Sequence, residues 1–458
     1  MKALAGLLTA GTISVVGSRM TFLAIPWLVL VTTGSPTKMG VAAAAEMLPY
    51  VLAGPLGAPL VDRLGPRRVS IVADLASVAV MAAVAFGQAG GFGLLVALLV
   101  LAGVLRGLGD CAKRVLLPAT IRASGVDMTR ATSVYDGLNR LASLLAAGLG
   151  GILIAWLGAR QAVLLDAATF AVCAALVAAL VPANQAANTT QATTGEAAEP
   201  AAVREPYWQA LRGGFAYLRG DRLLIGILSL LFVTNLVDQA NAVVFIPLWV
   251  NDVLHSPVAL GWVHAAFSLG AVLGNIVFTT LAPRAPRYAV FTLGFLIGGA
   301  PRMAVMALAG DLVPVLAAVF AAGLAMAAVN PILSAVMFER VPTALQARVV
   351  SLSGAVGYAG IPLGGLLGGW AVQGLDLTTT LLLFGTFYLA ATLLPVVFRG
   401  TWREMDRRPA PDRVREPEPA AATAAALPLT GAPPKIARLA RHMGECALKI
   451  RPSARQVG

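Results

Sequence analysis

The chain consists of long apolar runs separated by short segments that carry charged residues, glycine or proline. A membrane-spanning helix needs about 20 mostly apolar residues, and runs such as "AVLLDAATFAVCAALVAAL" (162–180) meet that requirement. Breaking the chain at the charged and turn-rich segments gives twelve spans: 4–31, 39–61, 69–87, 93–117, 131–156, 161–181, 223–250, 258–281, 288–309, 313–337, 349–371 and 379–398. The pattern therefore predicts an all-α integral membrane protein with twelve transmembrane helices.

Composition favours the same class of protein. The chain is 58% hydrophobic and 12% charged, whereas soluble domains carry about 25% charged residues. The first apolar run follows Lys2, but it continues to about Val31 and contains Arg19. We therefore expect a retained first span and not a cleaved secretory signal.

Basic residues in the short loops predict the orientation of the spans. Lysine and arginine are enriched in loops on the cytoplasmic side of a membrane. With a cytoplasmic N-terminus, the outer loops hold Lys38 and Arg160. The inner loops hold Arg63, Arg67, Arg68, Lys113, Arg114, Arg122, Arg130, Arg284, Arg287, Arg340 and Arg348. The sequence thus predicts a multi-pass protein with both termini cytoplasmic, and its composition is typical of a bacterial inner membrane protein from a GC-rich genome.

The second half of the chain repeats the first. "SPTKMG" (35–40) returns as "SPVALG" (256–261), and an Ile-Pro pair precedes each copy. At a nearby offset, Arg130 and Gly150-Gly151 correspond to Arg348 and Gly368-Gly369. Six spans return the chain to its starting side, so the halves are parallel, which is a transporter architecture with the substrate site between the repeats.

The repeat sets four predicted regions: a six-helix half over 1–181, a linker with an amphipathic helix over 182–222, a six-helix half over 223–398 and a basic tail over 399–458. Residues 182–204 lack apolar periodicity and read as a flexible linker. The segment after them is amphipathic and is expected on the inner membrane surface. The tail's positive charge favours binding to anionic lipid over binding to nucleic acid.

Glycines recur along span 11 at the spacing of close helix contacts. Gly357, Gly360, Gly364 and Gly368 give a small-xxx-small pattern, which lets helices approach closely and slide. Tight packing and a dedicated hinge both explain this pattern.

Three charged residues fall near the middle of predicted spans. A charge at this depth is costly and usually faces a cavity, and the residues are Arg19 in span 1, Arg106 in span 4 and Asp238 in span 7. We expect Asp238 to be the protonatable carboxylate that couples proton entry to transport and, when neutral, releases Arg19.

Glu46 in span 2 is the alternative proton site, because it can pair with Arg19 within the first half. Asp110 lies one helical turn below Arg106, so these two can satisfy each other. The competing interpretation for all of these charges is static pairing that fixes helix register. That interpretation is favoured for the charges nearer the span ends, Asp74, Asp136, Arg140 and Asp166.

Other polar and aromatic residues have weaker signals. His264 is expected to be a hydrogen-bonded packing residue, and Arg302 is expected to reach toward the outer interface. Aromatic residues on spans 1 and 7 suit amphipathic substrates, although Trp27 and Trp249 are expected to anchor the spans at the interface. These aromatic residues are Phe22, Trp27, Phe232, Phe245 and Trp249.

The loop after span 2, "DRLGPRR" (62–68), resembles the signature loop of the major facilitator superfamily. The matching residues are Asp62, Arg63, Gly65, Arg67 and Arg68. The resemblance implies that Asp62 helps to lock a cytoplasmic gate, with Arg114 or Arg348 as its partner. The alternative is a loop that only sets topology.

Residues 32–63 and 210–228 are similar to the drug:proton antiporter branch that contains macrolide and siderophore exporters.

These observations predict a secondary transporter, a proton-coupled exporter of amphipathic small molecules that works by alternating access. An intramembrane enzyme would need a nucleophile with a base, or metal ligands, at membrane depth. The three cysteines and three histidines lack ligand spacing, and no phosphate-binding G-x-x-x-x-G-K-[ST] motif is present. We therefore expect no enzymatic activity, metal or cofactor, and a functional monomer.

The alternatives are a dedicated exporter of one metabolite or siderophore, an importer on the same fold, an intramembrane enzyme, and a sensor or scaffold that transports nothing.

Overall fold

The structure, a computed structural model, describes residues 2–86, 90–182, 215–281 and 286–407. Twelve helices of membrane-spanning length run through these residues. They are α1 (Lys2–Thr33), α2 (Pro36–Leu64), α3 (Pro66–Phe86), α4 (Gly91–Ser124), α5 (Met128–Leu157), α6 (Ala159–Leu180), α7 (Arg222–Leu254), α8 (Pro257–Leu281), α9 (Arg287–Leu308), α10 (Leu312–Arg340), α11 (Thr343–Gly374) and α12 (Leu377–Val397).

The helices confirm the predicted all-α membrane class. Within the described residues, 10 helices are long and apolar enough to cross a membrane, and the bent α2 would be an eleventh. Helix α2 bends by 58° between Ala53 and Leu56, where the sequence has Gly54-Pro55, and such kinks typically occur at proline. Most of the predicted linker and tail, residues 183–214 and 408–458, lie outside the described residues; short helices cover 215–220 and Arg399–Trp402.

Helices α1–α6 and α7–α12 pack in the same way. In the first group α2 packs along α4, α1 along α5 and α6, and α3 against α4 and α6. In the second group α8 packs along α10, α7 along α11, and α9 against α10 and α12. The repeat in sequence is therefore also a repeat in packing.

Glycines at the helix contacts make this packing close. A Cβ on Gly103 of α4 would collide with the Glu46 carbonyl of α2, and a Cβ on Gly323 of α10 would collide with the Phe267 carbonyl of α8. Gly360 and Gly364 of α11 lie equally close to the backbone of α7. The glycine pattern of span 11 therefore forms a tight helix contact.

The two groups of helices meet closely at the end that carries the α1–α2 loop, called here the closed end. A Cβ on Gly369 of α11 would lie only 3.1 Å from the Thr37 Cα of α2. Thr37 Oγ1 donates a hydrogen bond to the Gly369 carbonyl at 3.2 Å. Helices α5 and α8 meet at the same end, where Gly151 faces the backbone of Gly261. These contacts leave no space for a side chain.

Two sequence predictions fail because apolar runs show neither where a helix ends inside the bundle nor which of its side chains are buried. Helix α4 continues to Ser124, so Lys113, which was assigned to an inner loop, is a buried residue within α4. Trp27 and Trp249 were expected at the interface, but both are buried in the apolar core.

The closed end gives a test of conformational change. Gly151→Val places a side chain between α5 and α8, so we expect the closed end to open in most molecules. Spin labels at Trp156 and Leu375, in a background without native cysteines, would report a longer distance by pulsed electron resonance. Gly137→Val is the matched control, because Gly137 is in the same helix and a Cβ there meets nothing within 4 Å. An unchanged distance in Gly151→Val would contradict the assignment.

Candidate functional site

Two adjoining cavities lie among the helices of both groups. The central cavity has a volume of about 430 Å³ and the inner vestibule about 440 Å³. The polar and aromatic residues that line the central cavity include Arg19, Phe22, Asp238, Gln239, Asn241, His264, Phe267 and Arg302. Those of the inner vestibule include Tyr50, Arg106, Asp110, Lys113, Arg114, Tyr135 and Asn139. Volumes of this size suit a small organic molecule.

The central cavity holds an ion pair between α7 and α9. Arg302 Nη2 donates to Asp238 Oδ1, and the Arg302 side chain is 8% exposed. Two predictions are corrected here. Arg302 faces the interior and not the outer interface, and it takes the place that the sequence analysis gave to Arg19 as the partner of Asp238. Inside the bilayer, a guanidinium is stabilised more by pairing with a carboxylate than by a position facing lipid.

A break in α9 brings Arg302 to this position. The helix ends at Gly298 and restarts at Ala300, with Pro301 at the start of the second segment. Gly299 lies against the ring of Tyr388 in α12, where a Cβ would collide with the ring. The glycine thus allows the close approach, and Arg302 follows in the first turn of the new segment.

Helix α7 widens beside Asp238. Residues Asn241–Phe245 are π-helical, and the Ile246 N–H bonds to the Asn241 carbonyl. Pro247 has no N–H, so the Val243 carbonyl lacks its usual α-helical donor. Such π-segments are frequent at functional sites. Here the segment brings Asn241 to the cavity wall.

The inner vestibule borders a second ion pair, between α2 and α4. Arg106 Nη1 lies 2.9 Å from Glu46 Oε1, and the Arg106 guanidinium lies 5.1 Å from the ring centroid of Tyr50. Tyr50 donates a hydrogen bond to Asp110 at 3.2 Å. Two expected partners are therefore wrong. Glu46 pairs with Arg106 and not with Arg19. Asp110 accepts a hydrogen bond from the Tyr50 hydroxyl and forms no ion pair with Arg106 within 4.0 Å.

Two further carboxylates are buried in the first group of helices. Asp74 of α3 lies 2.9 Å from Lys113 Nζ of α4. Asp166 of α6 accepts hydrogen bonds from the hydroxyls of Thr21, at 2.5 Å, and Thr169, at 3.0 Å. These contacts fit the static role expected for Asp74 and Asp166. The side chains of Asp136 and Arg140, which were assigned the same role, lie outside the described residues.

His264 lies on the wall of the central cavity. Its Nδ1 is 3.0 Å from the Leu260 carbonyl one turn earlier, as expected of a packing histidine, and Nε2 has no partner among the described residues. Of the five aromatic candidates on spans 1 and 7, Phe22 lines the cavity. Phe267 also lines it, and the sequence analysis did not identify that residue.

The signature loop lies between α2 and α3, at the end opposite the closed end, called here the open end. Gly65 has φ 87°, a conformation that favours glycine, and it ends α2. Arg67 donates to the carbonyls of Ala178 and Val181 at the end of α6, at 2.7 and 2.6 Å, where basic groups are favoured. Asp62, Arg63 and Arg68 are exposed.

The predicted gate pair is not formed in this conformation. Among the described residues, no ion pair within 4.0 Å joins Asp62 to Arg114. The side chain of Arg348, the other expected partner, lies outside the described residues.

The family model of the Major Facilitator Superfamily matches residues 7–255 and 228–444. The chain belongs to this superfamily. The first match runs through α1–α7, and the second begins within α7 and runs through α12. The predicted all-α major facilitator fold is confirmed.

Curated relatives are similar over nearly their whole length. The chain is 30% identical over 408 residues to the multidrug efflux pump Tap of Mycolicibacterium fortuitum, covering 87% of this chain and 95% of that protein. It is 30% identical over 421 residues to Tap of Mycobacterium tuberculosis (strain ATCC 25618 / H37Rv), covering 89% and 95%.

Solved major facilitator structures share the fold. The nucleoside transporter NupG superposes with a TM-score of 0.69 at 13% identity, covering 87% of this chain and 99% of that chain. A bacterial homologue of the human lysosomal transporter Spinster has a TM-score of 0.61 at 16% identity, covering 89% and 98%. At such identities the likeness concerns the fold alone.

The Asp238–Arg302 pair gives a test by double mutation. Arg302→Met leaves a carboxylate without its partner, and we expect a loss of about 3 kcal/mol in the free energy of unfolding because a buried charge is left uncompensated. Adding Asp238→Asn should recover most of that loss. Thermal unfolding of the two single variants and the double variant in detergent measures the coupling. If the stability loss of the double variant equals the sum of the losses of the two single variants, a direct interaction between the two side chains is contradicted.

Proposed function

We propose that this protein is a proton-coupled exporter of amphipathic small molecules that works by alternating access between its two six-helix halves. The observation that carries the proposal is the central cavity between the two groups, which combines apolar walls with the Asp238–Arg302 pair. The similarity to Tap pumps over almost their whole length supports export of drugs. In this proposal the energy source is the proton gradient.

The packing supports the alternating-access step. Each ion pair found among the described residues joins two residues of the same half, either within 2–182 or within 215–407. The two groups meet at the closed end through backbone contacts of glycines, which can separate without unpairing a buried charge. In this conformation the cavity receives substrate from the open end, and rocking of one half exposes it at the closed end.

Proton coupling is assigned to Asp238. Neutralising its carboxylate removes the attraction that holds Arg302, so the contact between α7 and α9 can change. Glu46 is the alternative site, because it forms the acid–arginine pair beside the inner vestibule in the first half. Asp238 lines the central cavity, through which a proton can arrive, whereas Glu46 is buried against Arg106, which lines the inner vestibule.

The remaining assignments follow from the sequence. We assign the protein to a bacterial inner membrane with both termini cytoplasmic, working as a monomer, with its basic tail on anionic lipid. The region boundaries at 181, 222 and 398 complete this arrangement. In the alternative, the same fold exports one metabolite or siderophore, or imports.

A flux assay tests the proposal. Cells lacking their own efflux pumps and expressing the protein are loaded in turn with each member of a panel of anionic, neutral and cationic dyes, and dye efflux is followed with and without a protonophore. We expect protonophore-sensitive efflux in the wild type and its loss in Asp238→Asn, because that variant cannot exchange a proton. Glu46→Gln is the matched comparison in the other half. Loss in Glu46→Gln alone would move the proton site, and well-expressed wild type that exports no member of a dye panel would contradict the broad-substrate function.

A further inference from the structure

Five residues line both cavities, and they form what we call the junction site: Arg19, Phe22, Ser143, Gln239 and Ile361. The site combines a cation, an amide and a hydroxyl with an aromatic and an aliphatic side chain. It draws these from α1, α5, α7 and α11, so both groups of helices contribute. A ligand that moves between the two cavities passes this set.

Arg19 and Arg114 differ from the other cations at the cavity walls, and of these two only Arg19 lines both cavities. Arg106, Lys113 and Arg302 each have a carboxylate within 2.9 Å or closer. Arg19 has no ion pair within 4.0 Å among the described residues, and it is exposed although it lies inside the bundle. Its accessible surface therefore faces the cavities. A cation at this depth is stabilised by an anion that enters the cavity.

A second group points to the same kind of ligand. Gln239 Nε2 is buried and has no hydrogen-bond partner among the described residues, and its residue lines both cavities with Arg19. Buried donors of this kind usually have an acceptor. A carboxylate or sulfonate supplies several acceptor atoms, enough for the guanidinium and the amide together.

Basic residues outnumber acidic residues on the walls of both cavities taken together. The cavity walls expose five basic residues and two acidic ones; these are Arg19, Arg106, Lys113, Arg114 and Arg302, against Asp110 and Asp238. Both acids are already engaged, Asp238 with Arg302 and Asp110 with the Tyr50 hydroxyl. A cationic ligand would therefore have to displace an existing partner, whereas an anionic ligand finds Arg19 available.

We propose that the junction site binds amphipathic molecules that carry an acidic group, with the acid against Arg19 and Gln239 and the apolar body against Phe22 and Ile361. This deepens the proposed function and rests on it for the transport step, but the binding preference itself does not require transport.

Binding of three probes with one common ring system tests the inference. Dansylglycine is anionic, dansylglycinamide is neutral and dansylcadaverine is cationic. Their affinities for the full chain in lipid nanodiscs are measured by fluorescence titration, with empty nanodiscs subtracted. We expect dansylglycine to bind about tenfold or more tightly than the amide, the scale of a hydrogen bond to a charged group. Equal affinities, or tighter binding of dansylcadaverine, would overturn the inference.

Variants locate the preference. Arg19→Gln should remove the difference between dansylglycine and the amide, and Gln239→Leu should reduce it several-fold. Arg160→Gln is the matched control, because Arg160 is exposed and stacks 4.3 Å from the Phe86 ring centroid, away from the cavities. An equal loss for all three probes in Arg19→Gln, with a folded protein, would make Arg19 a structural residue and overturn the assignment.

The binding and flux assays fail independently. Dye efflux with no preference for dansylglycine would contradict this inference and leave export intact. A preference that depends on Arg19 in a protein that moves no dye would contradict the proposed export and leave the inference intact.

Discussion

The cost of placing charge inside a bilayer governs this structure. A carboxylate or guanidinium surrounded by hydrocarbon is expensive unless it is paired or faces water. The helices satisfy this requirement locally: Glu46 pairs across to α4 and Asp238 across to α9. Asp166, which has no cation within reach of an ion pair among the described residues, accepts two threonine hydroxyls instead. Each buried acid therefore fixes the relation of two helices within one group.

Local pairing has a consequence for movement. Since the ion pairs found among the described residues stay within 2–182 or within 215–407, the contacts found between the groups are glycine contacts, hydrogen bonds and cavity walls. Packing of backbone against backbone through glycines depends on close fit and not on charge. Such a surface can be lost at one end and formed at the other at little electrostatic cost. The charges then act on movement only by changing the packing inside a group, which is where a proton on Asp238 would act.

The sequence predicted the class of fold because helix length and apolarity are local properties, and the repeat supplied the two-group packing. It predicted that Asp238 faces a cavity but not which residue pairs with it. Counting residues along a span gives height in the membrane, whereas pairing also depends on which way a side chain faces and on breaks such as Gly299. Arg302 therefore lies in the cavity although its position along the span suggested the interface. Lys113 failed for a related reason, because α4 extends beyond its apolar core.

An unpaired cation at the junction of the cavities bears on the energetics of transport. If an acidic substrate pairs with Arg19, its export removes a negative charge from the cytoplasm, and the proton exchanged for it brings a positive charge in. Both movements are favoured by an inside-negative potential, which contributes about 2.3 kcal/mol per charge at 100 mV. One proton exchanged for one anion therefore gains about 4.6 kcal/mol from that potential, whereas a cationic cargo exchanged for one proton gains nothing from it. An anion-selective junction site would let a single proton drive a steep outward gradient.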